Sequence, residues 1–203
     1  MATLHGVLAA ARDQGFLGPG PVEGHIEHAA GFLQAVGEPA PSRVIDLGSG
    51  GGIPGLALAL AWPAAAVCLL DSSVRRARFL ADAVRQLGLT DRVVVAQTRA
   101  EDAGRDTQWR GRADLVVARS FGPPAVTAEC AAPLLAVGGR LVVSEPPEGT
   151  AERWPPEALA TLGLRPTGRV EQAFSRFQVL RQEEPCPEAF PRRVGTPAKR
   201  PLF

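Results

Sequence analysis

The chain of 203 residues contains no tyrosine, one lysine (Lys199), one methionine and three cysteines. Cys68, Cys130 and Cys186 lie far apart with no paired spacing. That excludes a disulfide framework and a zinc knuckle, and predicts a reducing, cytoplasmic setting. Aromatic residues are few, eight Phe and three Trp, and most stand in core-like contexts. An excess of charge of one sign is also missing: the net charge is +1, too small for a protein that coats nucleic acid by bulk attraction. No acidic residue follows Glu188, however, so the last stretch is locally basic.

A long uncharged run is present between Leu47 and Leu70, but Gly48, Gly50, Gly51, Gly52, Gly55, Pro54 and Pro63 break it. Asp46 and Asp71 flank it. The pattern reads as strand, turn, short helix and strand, not as a membrane span. The amino terminus lacks a basic segment followed by an apolar core, so no secretory signal is expected. The length suits one domain with a short appendage.

Apolar spacing predicts two helices, Leu4–Gln14 and Val22–Val36, separated by Gly18-Pro19-Gly20-Pro21. From there, short apolar runs alternate with helical ones. Val44–Leu47, Val67–Leu70, Val93–Gln97, Leu115–Ala118 and Arg140–Val143 read as strands largely apolar on both faces. Val74–Leu87 has one apolar stripe, a serine cap and Gly88 at its end, and Pro123–Leu135 reads as a further helix. Arg169–Ala173 and Phe177–Leu180 suit a terminal antiparallel pair. The expected fold is therefore α/β: a mostly parallel, Rossmann-like sheet with helices on both faces. We expect three regions: an N-terminal helical segment over 1–41, a ligand-binding domain over 42–184 and a basic, proline-rich tail over 185–203.

The segment Val44-Ile45-Asp46-Leu47-Gly48-Ser49-Gly50-Gly51-Gly52-Ile53-Pro54-Gly55 runs from a buried strand through a glycine turn into a helix expected to begin at Pro54. Gly50-x-Gly52-x-x-Gly55 formally matches a dinucleotide fingerprint. Asp46 argues against it, because a carboxylate two residues before the glycines would repel a pyrophosphate. It suits a cationic ligand such as the ammonium and sulfonium of S-adenosyl-L-methionine. Asp71, at the end of the next strand, can accept hydrogen bonds from ribose hydroxyls. A dinucleotide site and a purely structural turn with two capping acids remain alternatives.

Asp46–Gly55, followed by Leu69-Leu70-Asp71-Ser72-x-x-Arg75-Arg76-x-x-Phe79-Leu80, resembles the RsmG (GidB) family of 16S ribosomal RNA guanine-N7 methyltransferases. Arg99-Ala100-Glu101, Ala118-Arg119-Ser120 and the terminal Phe190-Pro191-Arg192-Arg193-x-Gly195-x-Pro197-x-Lys199-Arg200-Pro201-Leu202 agree with it. The resemblance spans roughly Ser42 to Phe203. It implies a class I methyltransferase with S-adenosyl-L-methionine as cofactor and ribosomal RNA or the small ribosomal subunit as partner, away from any membrane.

The resemblance also implies that Gly48 and Ile53 line the cofactor site, that Ala100 and Glu101 lie against adenine, and that Arg119 stands beside the methionine end. Our own reading adds Asp46, Gly50 and Asp71. Guanine N7 has an available lone pair, so no catalytic acid or base is nominated. Arg192, Arg193, Lys199 and Arg200 are the candidate RNA contacts, with prolines holding the tail extended, and Phe121 is the candidate stacking side chain. His25 and His28 stand three apart without a third ligand near them, so no metal is expected.

Two departures from the family fall on the substrate side. Glu145-Pro146 stands where the family has a Lys-Gly pair, and a short His25-Ile26-Glu27-His28-Ala29 stands in a reduced N-terminal arm. They motivate an alternative methyltransferase acting on another RNA or a small molecule. A cofactor-binding module without catalysis is the remaining alternative.

Overall fold

The computed structural model describes residues 2–146, 153–172 and 175–203. Two helices open the chain, α1 (Leu4–Asp13) and α2 (Val22–Val36). Thr3 caps α1 by accepting from the Gly6 N–H, and Gly37 ends α2 at positive φ. Then β1 (Arg43–Leu47), α3 (Gly55–Ala61), β2 (Ala66–Leu70), α4 (Val74–Gln86), β3 (Val93–Ala96), α5 (Ala100–Ala103) and β4 (Ala113–Ala118) alternate. The chain continues through α6 (Pro124–Ala131), β5 (Leu135–Glu145), α7 (Pro156–Ala160), β6 (Leu164–Gln172), β7 (Ser175–Gln182) and α8 (Thr196–Lys199).

The seven strands form one sheet in the order β3-β2-β1-β4-β5-β7-β6. All pairs through β5 are parallel, and β7 inserts antiparallel between β5 and β6. Strands alternate their apolar side chains between two cores. Val44, Val67 and Leu115 face α2, α3 and α4, whereas Ile45, Cys68 and Val116 face α6, α7 and the C-terminal segment. Burial on both faces explains why these strands read as continuous apolar runs.

Several boundaries differ from expectation. The helix expected to reach Leu135 stops at Ala131, because Pro133 turns the chain into a 3-10 turn, and Gly138-Gly139 bends β5 internally instead of preceding it. Pro54 precedes the first residue of α3. The terminal pair is longer than expected, and Ala173 lies outside the described residues. The tail is not held extended. It folds back as α8 against α6, with Pro191 and Pro197 buried. Among the described residues no helix is long and apolar enough to cross a membrane.

Candidate functional site

Strand order reverses between β1 and β4: the chain moves outward to β2 and β3 on one side, then returns to β4 on the other. Loops leaving the carboxyl ends of such strands diverge and open a crevice, the usual ligand position in open α/β sheets. The glycine turn after β1, Asp71 after β2 and Arg119 after β4 all stand at that end.

The turn is closed by backbone bonds. The amides of Gly48 and Ser49 both donate to the Leu70 carbonyl, at 2.8 and 3.0 Å. Gly48 has φ 74° and lies beneath the Phe121 ring, which a Cβ there would meet at 2.6 Å. Phe121, expected as a base-stacking residue, thus packs on the turn itself. Asp71 is buried, and its two oxygens accept from the Gly50 and Ser73 amides at 2.9 and 2.8 Å. Arg76 Nη1 stands 3.6 Å from the same carboxylate. The turn and the start of α4 are therefore held together by one acid.

Two concavities flank the turn. One, of about 200 Å³, is bordered by Gly48, Gly50, Ile53, His25, Arg76 and Arg119. The other, of about 300 Å³, is bordered by Gly48, Asp71, Ala100, Glu101, Ser120 and Ala198. They meet at Gly48, Arg76 and Ser120. Ser120 is the one non-glycine residue with positive φ (55°) among the described residues, a strained conformation held where the two concavities join.

Seven of the eight nominated cofactor residues border this double concavity. Asp46 does not. It is fully buried behind the turn, and its Oδ2 accepts from the Gly55 amide at 3.0 Å. Burial pushes its carboxyl up to about 7, against the opposing hydrogen bond from Gly55.

Sequence reasoning missed the contribution of the termini. Phe16, Leu17 and Gly18, between α1 and α2, border the first concavity, and Ala198 of α8 borders the second. Glu101 Oε1 accepts from the Gly195 amide at 2.9 Å, so the tail is tied to the wall of the site. Arg192 donates from its amide, Nε and Nη2 to the buried Glu129, with Nη2 at 2.6 Å. Its guanidinium is thereby occupied. Arg193, Lys199 and Arg200 are exposed. The periodic basic–proline spacing of the tail was visible, but nothing local in it indicated Glu129 as partner.

Arg119 Nη2 donates to His25 Nδ1 at 2.7 Å, while Arg119 Nη1 is buried without a partner. An unsatisfied guanidinium nitrogen beside an open concavity is a site prepared for an anionic or carbonyl oxygen. Glu145 is the opposite case. Arg153 Nη1 at 2.5 Å and Trp154 Nε1 at 3.0 Å both donate to it, which removes the free negative charge its sequence position suggested.

Comparison with known proteins agrees with this geometry. Residues 22–147 match the family model described as GidB, rRNA small subunit methyltransferase G. Ribosomal RNA small subunit methyltransferase G of Prochlorococcus marinus (strain MIT 9313) is 40% identical over 169 residues, covering 80% of this chain and 68% of the relative. Its counterpart in Synechococcus sp. (strain WH7803) is 37% identical over 178 residues, covering 80% and 66%. The chain thus spans about two thirds of the length of these relatives. Among solved structures, the T. thermophilus 16S rRNA N2 methyltransferase RsmC, in complex with AdoMet and guanosine, superposes with TM-score 0.54 at 25% identity, covering 79% of this chain and 40% of that one. The mitomycin 7-O-methyltransferase MmcR shares the fold at TM-score 0.59 and 18% identity, covering 77% and 53%. The sheet order, the acid-braced glycine turn and these matches lead to one conclusion: the chain belongs to the rRNA small subunit methyltransferase G (GidB) family.

Proposed function

We propose that the protein transfers a methyl group from S-adenosyl-L-methionine to N7 of a guanine in 16S ribosomal RNA, in the cytoplasm, with ribosomal RNA or the small subunit as partner. The observation carrying this reading is the double concavity in which Gly48, Asp71, Glu101 and Arg119 converge. The residues present fit the cofactor. Asp71 spends one lone pair of each oxygen on a backbone amide, which leaves acceptor capacity for ribose hydroxyls. Ala100 and Glu101 border the end suited to adenine. The unpartnered Arg119 Nη1 suits the carboxylate of the methionine end. Asp46 contributes by bracing Gly55 from behind the turn.

When bound, the cofactor supplies an activated methyl group on a sulfonium sulfur. Guanine N7 bears a lone pair and no proton, so no residue of this chain has to remove one. The work of the chain is to bind, orient and exclude water, and proximity accounts for most of the acceleration. Arg193, Lys199 and Arg200, exposed on the folded tail, supply phosphate contacts, and Arg192 supports them by anchoring the tail to Glu129. Support for the ribosomal target comes from the family match, and the charge of Glu145, the departure that argued against it, is neutralised by Arg153.

Mass spectrometry of 16S rRNA from a strain lacking this protein tests the reading. Loss of one N7-methylguanine, restored by the gene, is the expected result. An unchanged level with intact cofactor binding favours a different methyl acceptor.

A further inference from the structure

Two of the three buried side-chain polar atoms without a partner among the described residues, Arg119 Nη1 and His28 Nδ1, belong to residues bordering one cavity. This cavity, about 680 Å³, lies between the start of α2 and the β6–β7 end of the sheet. It is distinct from the double concavity but adjoins it, because His25 and Arg119 border both. An acceptor atom must reach the transferred methyl directly, so the acceptor has to occupy a space sharing a wall with the cofactor turn. This cavity meets that requirement.

Its chemistry suits a base better than a phosphate. Arg119 is the one lysine or arginine on its border; its Nη2 is held by His25, and its unpartnered Nη1 is the atom assigned above to the cofactor's carboxylate. His28 borders it with its ring packed against Phe32 and Phe177, centroids 5.7 and 5.3 Å away. Its Nε2 is paired with Ser144 Oγ at 2.9 Å, and its Nδ1 is buried without a partner. Glu27 stands exposed at the rim and supplies the one carboxylate on the border. A carboxylate accepts from N1–H and the N2 amino group of guanine together. Adenine offers a bare N1 lone pair at the same place and is repelled.

We infer that this cavity seats the acceptor base and that Glu27 reads it as guanine through its Watson–Crick edge, leaving N7 toward the Arg119 wall. The inference rests on the proposed function and adds to it the location and the specificity residue. Glu27 touches substrate in this arrangement, whereas His28 and Gln172 shape the slot around it.

Two measurements test it. In the first, methyl transfer to unmethylated small-subunit rRNA is followed for the unaltered protein and for Glu27→Gln. KM for RNA rises roughly tenfold or more, as expected for losing a charged hydrogen-bond pair. The calorimetric Kd for S-adenosyl-L-methionine stays within about twofold. In the second, imidazole NMR signals of the S-adenosylhomocysteine-saturated protein are titrated with GMP and with AMP. GMP shifts the His28 signals, AMP does not, and Glu27→Gln abolishes the difference. Unchanged RNA kinetics in Glu27→Gln, or His28 signals that respond to both nucleotides equally or to neither, overturn the assignment. A wild-type protein that discriminates GMP from AMP yet methylates no rRNA overturns the ribosomal target and leaves the base cavity standing.

Discussion

His25 Nδ1 accepts a hydrogen bond from Arg119 Nη2 at 2.7 Å, joining residues 94 positions apart, while His25 Nε2 donates to the Gly18 carbonyl at 3.2 Å. A guanidinium only donates and a carbonyl only accepts, so the imidazole is neutral with its proton on Nε2. The pair sits in the wall shared by the cofactor concavity and the base cavity.

Protonation of His25 would set an N–H against the guanidinium. Burial, then the charge of Arg119, hold its pKa below the ordinary histidine value, with the Gly18 carbonyl opposing. His28 faces the same cation and is pushed down to about 4, chiefly by burial. Both folded-state values lie below the unfolded one, so the folded state binds fewer protons in acid. Their stabilising contribution is therefore complete above about pH 6.5 and is lost as pH falls below it. Imidazole NMR of the free protein should show His28 titrating near 4 and His25 below 6.5. His25→Gln should flatten the pH dependence of cofactor affinity below about pH 6.5; an unchanged profile would remove His25 from control of Arg119.

Asp46 has the opposite sign. Its carboxyl is raised to about 7, so the folded state holds a proton that the unfolded chain releases near 3.8. The cost of ionising it in the core grows as pH rises between those values. Asp46→Asn keeps an oxygen for the Gly55 amide and should be more stable than wild type at pH 8 by about 1–3 kcal/mol, with little difference near pH 4. Cofactor affinity at pH 8 should fall several-fold if the buried charge acts on the ligand. Denaturation at two pH values and calorimetry separate the two effects.

Asp71→Ala leaves the Gly50 and Ser73 amides without their acceptor. Cofactor affinity should drop by about 1.5–3 kcal/mol, with a loss of stability of similar size from the two unpaired amides. Calorimetry beside urea denaturation measures both, and an affinity equal to wild type would exclude Asp71 from the site.

Glu129 is fully buried and depends on Arg192 for its charge balance. Arg192→Ala should destabilise the protein by about 3 kcal/mol, because a buried carboxylate is left uncompensated. The C-terminal segment should then become sensitive to protease and cofactor binding should weaken, since Gly195 and Ala198 are carried by that segment. Exchanging Arg193, Lys199 and Arg200 for glutamine should instead leave folding intact and lower the salt dependence of RNA binding. A salt slope equal to wild type would show that the tail makes no phosphate contact.

Much of this architecture is written locally. Val44–Leu47 and Val67–Leu70 are largely apolar on both faces, Val74–Gln86 carries one stripe, and the glycines from Gly48 to Gly55 permit a turn that few other residues allow. Periodicity and turn chemistry operate over a few residues, so strands, crossovers and the cofactor end of the site are legible from the chain alone. Partner choice is different, because it depends on which segments the sheet order brings together. Only the folded molecule decided that Asp46 turns behind the loop to Gly55, that Arg192 is taken by Glu129, that Arg153 neutralises Glu145, and that His25 reaches Arg119. Each of these is a buried or half-buried polar contact whose partner is supplied by desolvation and packing, and not by any spacing in the sequence.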